Sequence, residues 1–245
     1  MSGTKLSSLT IFCPFRNDER TVHLMIHDAF KYGKKLTHDL EVIAVYGGNS
    51  HDHTWGRIIE AQKKYPKLIV IDKHDNKEGY AVIKYGFKHA TKDWVFYTDG
   101  DAQYHINELR KLVHKQLETG VDVVNGYKLK RQDDLTRIIL GGIYRKLARI
   151  LLQLPIRDCH CDYRLMKRKI MQKIELKESG AAILPEMVVK LTNNNAKFAE
   201  VGIHHYRRVY GRSNYSPFQL TYESFKGLVH AAHMKYNSSY GKTKN

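Results

Sequence analysis

The stretch Asp93-Trp94-Val95-Phe96-Tyr97-Thr98-Asp99-Gly100-Asp101-Ala102-Gln103-Tyr104 decides how the chain is read. Its first half is a short run of aromatic and β-branched residues, which predicts a buried strand over 93–98. Two carboxylates stand directly at the carboxyl end of that strand, two residues apart, with a glycine between them. Close carboxylates repel, and a divalent cation resolves the repulsion. Oxygen ligands of this kind suit Mg2+ or Mn2+, which also bridge to phosphates. Gln103 adds a neutral oxygen. Asp99, Asp101 and Gln103 are therefore the candidate metal ligands, and such a metal would neutralise a diphosphate leaving group. An isolated Asp-x-Asp is more often a polar turn; the strand in front of this one favours chemistry.

Working outward, strands and helices alternate. Leu9 to Cys13 reads as a first strand ending at Pro14, and Asn17 or Asp18 as the cap of a helix burying Val22, Ile26 and Ala29. Leu40 to Tyr46 is a second strand, stopped by Gly47-Gly48; Thr54 to Tyr65 is a helix; Leu68 to Ile71 is a third strand. A helix over 79–90 precedes the 93–98 strand. Another over 107–118 stops at Gly120, and Val121 to Val124 is a fifth strand. Continuously apolar strands between helices predict right-handed βαβ units: an α/β fold, one domain over 1–236, with a mostly parallel sheet covered on both faces. Ligands of such sheets sit beyond the carboxyl ends of the strands. The segments to inspect are Pro14 to Glu19, Gly47 to Thr54, Asp72 to Gly79, Asp99 to Tyr104, and Asn125 onward.

The second half is less regular. Helices are expected over 136–152, 180–191 and 217–236, with a strand over 198–203 and a frayed tail over 237–245. Ile139, Ile143, Leu147 and Leu151 share one face of the first of these helices. Phe218, Tyr222, Phe225, Val229, Ala232 and Tyr236 are the apolar stripe assigned to the last, which either packs on the body or lies on a membrane surface.

With 245 residues, 42% of them hydrophobic, the chain can bury a substantial core. A formal charge of +16 suits polyanions: nucleic acid, anionic lipid or phosphorylated substrates. A nucleic-acid binder leaves the Asp-Gly-Asp without a purpose, so nucleic acid is set aside as a partner. The three cysteines, Cys13, Cys159 and Cys161, with no leader-like start, point to a reducing compartment rather than a disulfide framework. Zinc at Cys159-His160-Cys161 lacks the second ligand pair that structural sites use. No segment reaches the roughly 18 apolar residues of a membrane span. The expectation is a cytoplasmic protein, with attachment to the cytoplasmic face of a membrane, or to a membrane subunit, as its open variant. Lys128, Lys130, Arg131 and Arg137 after the fifth strand read either as a phosphate clamp or as a solvated basic loop.

Several motifs in one order resemble family-two glycosyltransferases, in particular the branch of dolichyl-phosphate mannose synthase and bacterial polyprenyl-phosphate transferases. Asp99 to Tyr104 is similar to that family's metal motif. Pro14-Phe15-Arg16-Asn17-Asp18-Glu19 resembles its opening nucleotide-lining turn. Ser50, Asp52 and Thr54 match its Asp-Asp-Gly-Ser-x-Asp-x-Thr stretch, but Gly47-Gly48 replace the leading acids, one of which reads the base in the family. Asp158 to Leu165 resembles its Asp-rich segment ending in an aromatic-Arg pair, and Arg208, Gly211 and Ser213 its late Arg-x-x-Gly-x-Ser stretch.

The resemblance implies a glycosyltransferase-A type fold and an inverting transfer of sugar from a nucleotide-sugar donor to a lipid-phosphate or glycan acceptor. It implies donor-site roles for Pro14, Phe15, Asn17, Glu19, Ser50, Asp52, Asp99 and Gly100, and phosphate contacts from Arg208 and Ser213, with Arg137 as a further phosphate cation. Asp158 is the catalytic base if the acceptor is a hydroxyl; a lipid phosphate is already ionised and needs none. Asp162 and Glu186 are weaker candidates. The contrasting reading is a catalytically silent relative that binds nucleotide sugar, membrane or a partner, marked by Gly47-Gly48.

Overall fold

The computed structural model describes residues 5–129, 135–210 and 217–236, without the side chains of 135–138, 217–221 and 223. The first half follows the expected alternation: β1 (Leu9–Phe15), α1 (Val22–Leu36), β2 (Leu40–Tyr46), α2 (Thr54–Lys64), β3 (Leu68–Asp72), α3 (Ile83–His89), β4 (Trp94–Thr98), α4 (Leu109–Thr119) and β5 (Val123–Lys128). Short 3-10 turns at Gly79–Val82 and Ile106–Glu108 lead into α3 and α4. Gly120 ends α4 in the left-handed conformation, φ +68°, the backbone that glycine adopts without a Cβ penalty. The start of α1 differs from expectation. Asn17 sits at φ +58° outside the helix, and the Asp18 carboxylate accepts from Arg16 N–H, so neither side chain caps α1.

The second half contributes α5 (Leu135–Leu152), β6 (Tyr163–Lys167), a single turn α6 (Arg168–Met171), α7 (Ile183–Asn193), β7 (Phe198–Ile203) and α8 (Pro217–Tyr236). The strand β6 is absent from the sequence reading. It enters antiparallel between β4 and β5, giving one seven-stranded sheet in the order β3-β2-β1-β4-β6-β5-β7 with all other pairs parallel.

Successive residues of β1 serve opposite faces, and both faces are covered. Leu9, Ile11, Cys13 and Phe15 pack with α1, α2 and α4, whereas Phe12 packs with α3 and α7. This double burial explains why the strands are apolar without alternation. A third cluster joins α5, α7 and α8 through Tyr144, Leu152, Val188, Leu228 and Ala231.

The apolar stripe of α8 is divided: Phe225 and Ala232 are half-buried against the third cluster, and its other described residues are not. In α8 the buried residues are Ser224, Leu228, Ala231 and Met234, and a Cβ at Gly227 would stand 2.9 Å from Ala182 Cα. Tyr222, Val229 and Tyr236 of the expected stripe point to solvent. In α5, Tyr144, Ala148 and Leu152 are buried, and the Ile139-Ile143-Leu147-Leu151 face is exposed.

Candidate active site

The carboxyl ends of β1, β2 and β4 meet at one edge of the sheet, and hydrogen bonds lock their loops together. The β1 loop donates three backbone N–H groups to side chains of the β2 loop: Asn17 to Ser50 Oγ (3.1 Å), Asp18 to Thr54 Oγ1 (2.7 Å) and Glu19 to Asp52 Oδ2 (3.2 Å). The β2 loop returns two, from His51 N–H to Asn17 Oδ1 (2.8 Å) and from His53 N–H to Glu19 Oε2 (3.0 Å). Thr21 Oγ1 then donates to the Gly100 carbonyl at 2.7 Å, tying this pair to the Asp99–Asp101 loop. Asn17, Glu19, Ser50 and Asp52 are thus brought together as loop cross-links. Pro14 and Phe15 form the floor beneath Gly100. A Cβ there would lie 2.4 Å from Phe15 Cδ1 and 2.5 Å from the Pro14 carbonyl oxygen. Close approach of backbones therefore requires the glycine between the two acids.

Gly48 has a comparable reason, whereas a Cβ at Gly47 would come no nearer than 3.3 Å, to the Phe15 carbonyl oxygen. Gly48 sits at φ +69°, and its Cβ would stand 2.4 Å from the Lys73 carbonyl oxygen. The Gly47 carbonyl accepts from Asn76 Nδ2 at 3.0 Å. The β3 loop fills the space that a side chain at position 48 would take.

Around Asp99 the structure assembles a buried acid cluster. Tyr80 Oη donates to Asp99 Oδ1 at 2.7 Å, and Tyr97 Oη donates to Asp162 Oδ1 at 3.3 Å. Burial, with the charges of Asp162 and Asp101, pushes the Asp99 carboxyl well above the ordinary carboxylate range. Burial also pushes Asp162 up, against the cations Arg164 and Lys128. Asp18 is pushed up to about 7 by burial, with the Asp101 and Asp52 charges adding to it. Asp101 pairs with Arg208, Oδ2 to Nη2, at 2.6 Å. The second-half acid whose charge bears most on Asp99 is Asp162.

Asp158 is buried nearby in sequence. Its Oδ1 accepts from His160 N–H at 3.0 Å, and its carbonyl accepts from Asn125 Nδ2 at 3.1 Å. Gln103 spends its amide Nε2–H on the Tyr206 carbonyl (2.9 Å). Glu186 is a loop clasp: it accepts from Lys177 N–H, Glu178 N–H and Lys190 Nζ. Arg137's side chain, Ser213, Lys130, Arg131 and Arg212 lie outside the described residues. The three cysteines are buried and free, with the Cys159 and Cys161 thiols pushed up to about 12 by burial.

Three members of the cluster were not read from the sequence as such. Tyr80 follows the β3 loop one residue beyond the inspected segment, and the rule about strand ends would have reached it. Lys128 was grouped with the loop cations, yet its charge acts on Asp99 and Asp162. Arg164 lies wholly buried, donating from Nε to Asn125 Oδ1 (2.6 Å) and from Nη2 to the Cys159 carbonyl (3.1 Å), with its guanidinium over the Tyr97 ring.

The donor set suits a divalent ion shared with a ligand. Among the described residues no group of three or more His, Cys, Asp or Glu converges as a metal site. The protein side thus offers a carboxylate pair, and two close, mutually repelling carboxylates are the environment in which a hard cation with phosphate co-ligands is favoured.

Residues 10–175 match the model of the family described as Glycosyl transferase family 2, and the chain belongs to that family. It is 26% identical over 220 residues to an undecaprenyl-phosphate 4-deoxy-4-formamido-L-arabinose transferase of Photorhabdus laumondii, covering 90% of this chain and 66% of that protein. A Yersinia pestis protein of the same name is 25% identical over 215 residues, covering 88% and 64%. The chain therefore spans about two thirds of the length of these relatives. Among solved structures, mannosyl-3-phosphoglycerate synthase from Rubrobacter xylanophilus superposes with a TM-score of 0.73 at 17% identity, covering 98% of this chain and 77% of that one. Glucosyl-3-phosphoglycerate synthase from Mycobacterium tuberculosis, solved with Mn2+, UDP and glucosyl-3-phosphoglycerate, superposes with a TM-score of 0.66 at 16% identity, covering 94% and 80%. At these identities the two structures establish the glycosyltransferase-A type fold. The chain is a glycosyltransferase by family.

Proposed function

We propose that this glycosyltransferase is metal-dependent and inverting, and moves a sugar from a nucleotide-sugar donor to a polyprenyl phosphate. The observation that carries the reading is the Asp99–Asp101 pair at the end of β4, with Asp99 half-buried and Asp101 buried, mutually repelling and faced by Arg208 and Lys128. Asp99 and Asp101 would hold Mg2+ or Mn2+, with Gln103 beside them. The ion would offset the charge of the departing nucleoside diphosphate. Support for the metal and for a UDP-type donor comes from the Mn2+ and UDP of the glucosyl-3-phosphoglycerate synthase complex. Support for the acceptor class comes from the undecaprenyl-phosphate transferases.

The chain's own residues supply the rest. The cross-linked β1 and β2 loops form a rigid wall for the nucleotide, so that binding spends little on ordering them. Arg208 and Lys128 bring positive charge to the diphosphate, with Arg137 added by its place after the fifth strand, and the resemblance assigns the stretch from Arg208 to Ser213 to the phosphate of the lipid. Tyr80 and Tyr97 remain protonated, since burial pushes both phenols up, and they hold Asp99 and Asp162 in place. A phosphate acceptor attacks as an anion and needs no base. For a hydroxyl acceptor, Asp158 and Asp162 are the carboxylates available to take its proton.

The acceptor reading also has a surface. Ile139, Ile143, Ile150, Tyr222, Val229 and Tyr236 are each between 50% and 67% exposed on α5 and α8, and Tyr236 Oη donates to the Leu151 carbonyl to join the two helices. Four cations and no acid lie on α5. An apolar face edged with positive charge suits an anionic lipid surface.

The test is sugar transfer from a panel of UDP-, GDP- and dTDP-sugars, with and without polyprenyl phosphate, and with Mn2+, Mg2+ or EDTA. Metal-dependent transfer that requires the lipid and is lost in Asp101→Ala is expected. Transfer that persists in EDTA refutes the metal. Absence of both turnover and metal-dependent nucleotide binding refutes the catalytic reading in favour of the silent relative.

A further inference from the structure

Both carboxylate oxygens of Asp101 are engaged by the protein. Oδ1 accepts from Gln103 N–H at 3.0 Å, and Oδ2 lies 2.6 Å from Arg208 Nη2. The pair is shielded, with the Arg208 side chain 21% exposed and that of Asp101 9%. Arg208 also feels the charges of Asp18 and Asp99. It therefore offsets the charge of the acid cluster in the position where a metal ligand's oxygen must be open.

The backbone leading to Arg208 is fixed to the loop that carries Asp101. Tyr206 N–H donates to the Gln103 carbonyl and Gln103 Nε2 donates back to the Tyr206 carbonyl, each at 2.9 Å. Tyr206 stacks on His105 with centroids 4.3 Å apart, and His204 Nδ1 meets Glu108 Oε1 at 2.6 Å. A guanidinium on so short and fixed a stem can release Asp101 by side-chain rotation and still stay in the site. A guanidinium and a metal ion at roughly 2.1 Å from the same oxygen exclude one another by charge and by space.

We propose that Arg208 is a resident stand-in cation: it holds Asp101 until the metal arrives with the nucleotide diphosphate, and then moves from Asp101 to the diphosphate. The proposal rests on the reading that Asp101 binds the metal and that the donor carries a diphosphate. Its consequence is coupling. Metal alone must displace the arginine from Asp101 while supplying no new anion, whereas metal with nucleotide gives the arginine the diphosphate. The two ligands then bind synergistically, and by linkage each favours the other equally.

The experiment is Mn2+ binding by electron paramagnetic resonance of free Mn2+, with and without UDP, on the whole chain and on Arg208→Gln. The expected result has opposite signs. Arg208→Gln binds Mn2+ alone about tenfold more tightly than the unaltered protein, and binds Mn2+ with UDP about tenfold more weakly. A variant that loses affinity in both conditions, or is unchanged with Mn2+ alone, overturns the exchange. Arg208→Lys keeps the charge without the planar fork and should shift both affinities in the same directions by less; it decides the matter if the glutamine variant does not fold. Asp101→Asn separates the two levels. If it retains Mn2+ binding, or if the unaltered protein binds no Mn2+ even with UDP, the metal reading itself fails.

Discussion

Gly48 stands where the motif that the Gly47 to Thr54 stretch resembles has an acid, and the sequence left open whether its absence marks lost function. The backbone answers in steric terms: φ is +69°, and a Cβ would overlap the Lys73 carbonyl. Gly48→Asp is expected to destabilise the fold by about 2 kcal/mol or more, because a non-glycine residue in this region costs about 1–3 kcal/mol before the overlap is counted. Urea denaturation measures this; a change within about 0.5 kcal/mol would show that the β3 loop yields. Asp18 gives a second prediction. Its carboxyl is pushed from the ordinary 3.8 up to about 7, first by burial, so the native state keeps a proton that the unfolded chain has released. Stability of the metal-free protein should then fall as pH rises from about 4 to about 7. Mn2+ with UDP should raise the melting temperature more at about pH 8 than at about pH 5. A metal-free melting temperature that climbs steadily over this range would contradict the assignment.

At the scale of elements, β1, β2 and β4 were legible because they are buried on both faces and the periodicity switches cleanly between strand and helix, whereas β5 runs from Val123 to Lys128, past the expected end at Val124. The strand β6 was not legible. Tyr163-Arg164-Leu165-Met166-Lys167 has a buried arginine at its second position, and an arginine is read as surface until its partners are known. Those partners, Asn125, Met187 and the Cys159 carbonyl, come from β5, α7 and the preceding loop. The buried face of α8 was only partly legible, for a related reason. Gly227 and Ala231 are small enough for α8 to approach α7 and the 180–182 turn closely, so contact follows small residues and not the larger apolar ones. Glu186 belongs at this scale as well, since it joins the 175–178 segment to α7. Replacing it by Ala strands two backbone N–H groups and leaves Lys190 only the Glu175 carbonyl, and should cost about 3 kcal/mol, read as a drop in thermal stability. Unchanged melting would mean that the clasp is reformed by water.

For the whole molecule, the catalytic edge of the sheet and the exposed face of α5 and α8 are the two regions that a transfer to a lipid-linked acceptor needs. Among the described residues no helix is long and apolar enough to cross a membrane, so attachment through this face would be to a surface. Ile143→Asp with Ile150→Asp places two carboxylates on exposed positions and should leave folding within about 0.5 kcal/mol of the unaltered protein. Co-sedimentation with vesicles containing anionic lipid should fall by about tenfold or more, as two buried aliphatic side chains are lost and two repulsive charges gained. Binding that survives both substitutions would move the lipid contact to another face.

The sequence by itself determined the alternation of strand and helix, the acid pair at the end of the fourth strand and the order of motifs, because each depends on neighbours within a few residues. The tertiary structure alone decided which acids face Asp99, why Gly48 and Gly100 cannot carry side chains, and that Arg208 reaches Asp101 across 107 positions of chain. These depend on how distant segments approach, and local periodicity holds no record of that approach.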